Sequence, residues 1–390
     1  MASNSKTNNT STASTSTSST SKKWQDLKTR GLWSLIMIFL FALILLMGHF
    51  YCALLVLCII LCIYHELLQI PHFKQHSAHI PYHFHLSWCF FITGTYFLFI
   101  TFIKPKIIHL TKYTIIYYVI HYHNFICIVL YVTCFLLFIK SLKKGYYRYQ
   151  FRHFAYVHII ILIFGVCSSV IISNIFNGLF WFLIPASLVI VNDIMAYVWG
   201  RMFGKHQLTL LSPKKTIEGF IGALFSTVIW CYFISEAMIK YDALLCPVDK
   251  VSLTPFNMFS MQCDANDLRK IIAVNVGGVT MEVRAIQVHM LFFGLFASLV
   301  APFGGLFASG FKRAVKIKDF ANTIPGHGGF TDRMDCQILM GLFTFVWVSQ
   351  FVFNNGDYNV GGVLGKVAMM SYEDKMKVFQ YLNAEVMGNK

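Results

Sequence analysis

The sequence is short of charge: Asp, Glu, Lys and Arg make up 13% of its 390 residues, where a soluble globular chain carries about 25%. Beside a hydrophobic share of 56%, that shortage excludes an ordinary water-soluble globule. Acids are scarcer than bases, 17 against 32, which leaves a formal net charge of +15. In a soluble protein that balance would suggest nucleic acid. Here the basic residues are scattered over short loops between apolar runs, where they set topology, so no nucleic-acid partner is expected. A metal-type CxxC pair is also missing. Most of the cysteines lie inside apolar runs, where a free thiol behaves as a small hydrophobe. Cys246 and Cys263 instead fall in a long polar loop, and they can pair if that loop is lumenal.

What is present is a series of apolar runs. The expected fold is therefore an all-α polytopic membrane protein of about nine transmembrane helices, near 31–48, 50–68, 86–103, 115–139, 155–174, 179–199, 219–238, 288–308 and 337–354. Residues 2–21 are almost entirely Ser, Thr and Asn, too polar to bury surface, so 1–30 is expected to be a disordered cytosolic tail. An N-terminal transmembrane region, 31–190, precedes a catalytic transmembrane region, 191–354, and a polar C-terminal tail, 355–390. With the N-terminus cytosolic, the basic loops 140–154, 200–218 and 309–336 all fall on the cytosolic side and the loop 239–287 is lumenal, as the positive-inside rule requires. Lys104, Lys106 and Lys112 are the exception, explained only by snorkelling at helix ends. The histidines His72, His76, His79, His83 and His85 look like a metal cluster, but Pro81 interrupts their helix and no carboxylate lies in 67–85. A solvated or headgroup-level loop is the better reading.

The least membrane-like internal run, 309–335, reads SGFKRAVKIKDFANTIPGHGGFTDRMD. Lys312, Arg313, Lys316, Lys318 and Arg333 can neutralise phosphoryl oxygens. Asp319, Asp332 and Asp335 suit Mg²⁺, which takes one or two carboxylates and completes its shell with substrate phosphates. The adjacent glycines Gly328 and Gly329 let backbone N–H groups approach an anion. Upstream, Asn192-Asp193 sits deep in an apolar run, where a carboxylate is costly and hence a functional candidate. Ala196 and Gly200 follow on the same run and permit close helix approach. Ser212-Pro213-Lys214-Lys215-Thr216 then precedes a helix and offers two ammonium groups and two hydroxyls for a triphosphate. Capping by Ser or Thr, with topogenic lysines, accounts for that segment equally well.

The 309–335 run resembles the signature of the CDP-diacylglycerol synthases (phosphatidate cytidylyltransferases), in the form of the eukaryotic branch: Ser309, Lys312-Arg313, Lys318-Asp319, the PGHGG turn, Asp332-Arg333 and Asp335. The pattern NDxxAYxxGxxFGK followed by SPKKTxEGFxG is similar to the second block of the same family, so the resemblance covers about 192–222 and 309–337. It implies reaction of CTP with phosphatidate to give CDP-diacylglycerol, a phospholipid precursor, and pyrophosphate, in the endoplasmic reticulum membrane, with the active site facing the cytosol and the enzyme a homodimer. On that basis Asp332 and Asp335, helped by Asp319 or Asp193, are assigned to Mg²⁺, and Lys312, Arg313, Lys318 and Arg333 to phosphates. Ser212, Lys214, Lys215 and Thr216 go to CTP, with Gly328 and Gly329 against the phosphates. His327 is either an acid for departing pyrophosphate or a structural member of the turn. Two competing readings are a secondary transporter, which would cluster polar residues near the bilayer midplane, and a CTP-dependent polyprenol kinase, which would transfer the γ-phosphoryl group.

Overall fold

The computed structural model describes residues 13–70, 80, 82–107, 115–248, 250–256, 261, 263, 266–276, 279–324, 328–353, 367 and 370–388. In chain order its helices begin with α1 (Ala13–Met47), α2 (His49–Leu68), α3 (His83–Ile107), the short α4 (Ile115–His121) and α5 (His123–Lys140). Then α6 (Tyr147–Ile160) runs through a π-turn at Ile161–Gly165 into α7 (Val166–Phe176), followed by α8 (Phe180–Phe203). A hairpin of β1 (Gln207–Thr209) and β2 (Ser212–Thr216) leads into α9 (Ile217–Met238). A second hairpin, β3 (Ile271–Val276) with β4 (Val279–Arg284), precedes α10 (Ala285–Leu299), α11 (Pro302–Ala314), α12 (Thr331–Trp347) and α13 (Tyr372–Gly388). Among the described residues, eight helices are long and apolar enough to cross a bilayer. The protein is thus multi-pass and essentially all-α, its only described sheets being the two antiparallel hairpins.

Eight of the nine expected spans coincide with these helices, and the first is the apolar segment Gly31–Met47 of α1. The helix begins at Ala13, within the stretch 1–30 expected as a tail. Once an apolar segment has paid for nucleation, extending a helix costs little per residue even through Ser and Thr. The expected span 288–308 is broken into α10 and α11. Pro302 stands at the first turn of α11, where it has no N–H to continue the ladder. Of the histidine-rich stretch, His72, His76 and His79 lie outside the described residues. His83 opens α3, where its ring lies 4.1 Å from that of His153 and its Nε2 is 3.4 Å from the Tyr149 hydroxyl.

No compact-unit boundary falls at 190. Residues Met1–Gly341 form one unit, because the N-terminal helices hold the C-terminal signature directly. Ile60, Ile63, Tyr64 and Leu67 of α2 pack with Phe90 and Phe91 of α3 and Val157 and Ile160 of α6, and Phe311, Phe320, Phe330 and Met334 close over this cluster. A second cluster fills the opposite ends of the same helices: Cys52, Ala53 and Val56 with Ile103, Ile175 and Phe176, covered by Val248 and Val251. There Cys246 and Cys263 form a disulfide. The lysines that broke the charge rule are satisfied at this end, Lys106 Nζ donating to the Val248 carbonyl at 2.6 Å and Lys104 Nζ to that of His121 at 2.9 Å. Lys112 lies outside the described residues. In the smaller unit, Leu342–Lys390, the rings of Phe343, Trp347 and Phe351 follow one another at 5.5 and 4.5 Å.

Candidate active site

The first block of the site is built on the crossing of α8 and α9. A Cβ at Gly219 would stand 2.6 Å from the Ala196 carbonyl and 3.0 Å from the Gly200 Cα, so only glycine allows this approach. Asn192 Oδ1 accepts from Thr227 at 3.3 Å and Trp199 Nε1 donates to Ser226 at 2.9 Å, which locks the pair. Asn192 is buried by that contact, whereas its neighbour Asp193 is exposed. The SPKKT segment forms β2 rather than a loop at the helix start. Its Thr216 caps α9 by accepting from the Gly219 amide at 3.2 Å, so that hydroxyl has a structural use. Glu218 ties down the other side of the hairpin by accepting from the Lys205 and His206 amides and, at 2.6 Å, from His206 Nδ1. Ser212 pairs with Thr209, whose hydroxyl accepts its amide at 3.3 Å. Lys214 takes its place in β2 and Lys215 turns toward the site.

The second block is built on α11 and α12. A Cβ at Gly304 would stand 2.4 Å from the Asp335 carbonyl, so the two helices touch backbone to backbone. At the next residue, a Cβ on Gly305 would meet Asp335 Oδ2 at 3.4 Å and Lys215 Nζ at 3.7 Å. One spot is therefore faced by a carboxylate of the second block and an ammonium of the first. Asp193 also lies within electrostatic range of Asp335 and of Lys215, and Arg333 within range of Asp193. Four elements, α8, β2, α11 and α12, thus bring two carboxylates and two cations together.

Asp332 and Asp335 start the same helix but have different neighbours. Asp332 Oδ1 accepts from Lys312 Nζ at 2.7 Å and its Oδ2 from the Phe320 amide at 3.0 Å. Lys312, expected on a phosphate, is engaged by this largely buried pair and lies 5.5 Å over the Phe320 ring. Arg313, Lys318 and Asp319 are exposed and make no ion pair among the described residues. His327 lies outside the described residues, as do Pro325 and Gly326, while Gly328 and Gly329 bring the chain back toward Asp332.

Two features of the site escaped the sequence reading. Gly304 and Gly305 precede the signature window, and their signal was a glycine pair inside an apolar span. Glu66, near the end of α2, is 2% exposed and its carboxylate grips the signature loop. Its signal was the one that marked Asp193, a carboxylate in an apolar run.

Among the described residues no group of three or more His, Cys, Asp and Glu side chains could hold a metal alone. Two neighbouring carboxylates beside cations nonetheless suit Mg²⁺, which takes one or two carboxylates and completes its shell with phosphate oxygens. This helical membrane architecture, with two carboxylates and two cations gathered from both blocks, has the charge pattern of a phosphoryl- or nucleotidyl-transfer enzyme of the membrane. The chain belongs to the cytidylyltransferase family, whose model matches residues 28–351. Phosphatidate cytidylyltransferase 1 of Mus musculus is 40% identical over 376 residues, covering 92% of this chain and 79% of that one. Phosphatidate cytidylyltransferase 2 of Homo sapiens is 40% identical over 339 residues, 85% and 76% of the two chains. Phosphatidate cytidylyltransferase 1 of Arabidopsis thaliana is 38% identical over 371, 92% and 87%.

Proposed function

We propose that this protein joins CTP to phosphatidate, forming CDP-diacylglycerol and releasing pyrophosphate. The observation that carries the reading is the convergence of Asp193 and Lys215 from one block with Asp335 from the other beside Gly305. A phosphate oxygen of phosphatidate attacks the α-phosphorus of CTP. That P–O bond forms as the bond from the α-phosphorus to its bridging oxygen breaks, and the electron pair leaves with pyrophosphate. A phosphate monoester has its second pKa near about 6, so the nucleophile is already largely dianionic and needs little general-base help. The obstacle is repulsion between two polyanions, which positioned cations relieve.

Bound Mg²⁺ supplies charge neutralisation across the phosphates. Asp193 and Asp335 would hold it. Lys215 and Arg333 then meet phosphate oxygens at the same spot, and exposed Arg313 and Lys318 draw the anionic substrates toward it. Asp332 keeps Lys312 oriented, its two oxygens each engaged by a donor. The site end of the bundle carries the basic loop of Lys140, Lys143, Arg148 and Arg152, whereas the disulfide lies beyond the far end of α9. These two facts support a site open to the cytosol from the endoplasmic reticulum membrane. There a water-soluble nucleotide meets a lipid phosphate whose acyl chains stay in hydrocarbon. The homodimer rests on family resemblance.

Incubation with CTP labelled in the base and, separately, in the γ-phosphate tests the reaction. Base label in a CDP-lipid, with γ label released as pyrophosphate, is expected. A polyprenol carrying the γ label would identify a kinase, and no labelled lipid with either substrate would overturn the reading.

A further inference from the structure

Among the described residues, the carboxylate of Glu66 has four hydrogen-bond donors, none of them a cation. Oε1 accepts from the Thr323 hydroxyl at 2.5 Å and the Phe330 amide at 2.8 Å. Oε2 accepts from the Thr331 amide and the Thr331 hydroxyl, both at 2.9 Å. Thr323 precedes the PGHGG turn and Phe330 and Thr331 follow it, so one side chain from a helix more than 250 residues upstream ties both ends of the turn together. The second end is also the start of α12, one residue before Asp332. Between them Gly329 is pinched: a Cβ there would stand 2.8 Å from Glu66 Oε2 and 3.2 Å from Asp332 Oδ2.

We infer that Glu66 is a positioning residue for nucleotidyl transfer: its carboxylate staples Thr323 to Phe330 and Thr331, and so fixes the Gly328-Gly329 backbone and Asp332 before any substrate arrives. The inference rests on the proposed function. The chemistry demands a carboxylate and not merely its shape. Each oxygen of Glu66 faces one backbone N–H, which cannot reverse its polarity, so a glutamine in either flip would point its own N–H groups at one of those donors. Aspartate is one methylene too short to reach both ends. Preorganised donors are what a developing charge requires, and a loose turn would have to be ordered by the substrate at the cost of affinity.

The test compares the full-length native enzyme with Glu66→Gln and Thr323→Val in detergent–lipid micelles. Hydrogen exchange of the peptide spanning 323–331 is measured without CTP or metal, and Mg²⁺ and CTP half-saturation by activity. In the native enzyme the Phe330 and Thr331 amides are expected to be protected. Glu66→Gln should speed their exchange and raise both half-saturation values, each by about tenfold, the scale of losing a supporting partner of a site. Thr323→Val removes one of the four described donors and should move the same readouts in the same direction by less. In the Glu66→Gln background it should add almost nothing, because the staple is already open. A role confined to folding would lower the yield of active enzyme and leave both half-saturation values and the local exchange unchanged, which overturns the inference. If Glu66→Gln cannot be isolated folded, Thr323→Val decides by the same readouts. Asp335→Asn run in parallel separates the two ideas: if it too leaves Mg²⁺ dependence untouched, the site reading has failed, whereas a shift there and none for Glu66→Gln sinks the staple alone.

Discussion

The two ends of the helix bundle use charge in opposite ways. At the end carrying the disulfide, four cations find partners within the protein. Lys104 and Lys106 donate to backbone carbonyls, Arg269 is held by Asp242 and the Ile239 carbonyl, and Arg284 pairs with Glu236 at 3.2 Å. At the other end Arg313, Lys316 and Lys318 stand exposed and unpaired among the described residues, and the carboxylates of Asp193 and Asp335 face the same region instead of being kept apart. Charges that neutralise one another hold a fold together. Like charges kept close, with cations left over, are maintained against their own repulsion, the pattern expected of a candidate site where an outside polyanion and a metal would complete the balance.

Breaking the site end should therefore cost turnover and leave stability nearly untouched. Asp335→Asn and Asp193→Asn keep shape and remove charge, and each should reduce turnover about a hundred- to a thousandfold, as loss of a transition-state electrostatic partner does. The thermal midpoint should move little, or rise as repulsion is relieved; turnover near that of the native enzyme in either variant would erase the contrast. Breaking the opposite end should do the reverse. Cys246→Ser opens a bridge across a sequence separation of 17, worth about 3 kcal/mol in the chain-entropy account, with turnover per folded molecule unchanged. Unfolding followed with and without reductant reads that difference.

Smaller changes sharpen the boundary. Lys215→Ala should weaken apparent CTP affinity by about 1.5–3 kcal/mol, one charge-assisted contact, with phosphatidate dependence altered less. Steady-state kinetics with each substrate varied separates the two. Lys106→Met removes one donor from the Val248 carbonyl and should cost about 1 kcal/mol of stability, again without kinetic effect. Smallest is Lys316→Gly. Lys316 adopts φ 58 just past α11, where its amide and that of Ile317 bond back to the Arg313 and Lys312 carbonyls. That closing turn favours glycine, so the variant should gain up to about 1 kcal/mol in thermal unfolding.

Much of this was legible in the residues themselves. Hydropathy found the spans because an apolar run of bilayer length has few alternatives, and Lys312, Asp332 and Asp335 stood out as a candidate site because charge is scarce elsewhere. The break at Pro302 was missed because the apolar pattern runs through it unaltered. The split between Asp332 and Asp335 was also hidden. Helical spacing puts them on one face, but which neighbour each meets depends on Phe320 and on β2, brought there by tertiary packing. Glu66 showed the cost of its position in the sequence but not its partners, which lie at the other end of the chain. The lysines at 104 and 106 contradicted the topology rule until the carbonyls beside them were placed.

The central claim is that Asp335, with Asp193, holds the metal while Asp332 serves Lys312 and the loop. Thiolate substitution tests it directly, because sulfur disfavours Mg²⁺ and accepts softer ions. Turnover of Asp335→Cys and Asp332→Cys would be compared in Mg²⁺ and in Cd²⁺, each normalised to the native enzyme in the same metal. The account predicts that Asp335→Cys is nearly inactive with Mg²⁺ and recovers by at least about tenfold with Cd²⁺, and that Asp332→Cys shows no such preference. Recovery confined to Asp332→Cys, or Mg²⁺ activity in Asp335→Cys close to the native level, would contradict it.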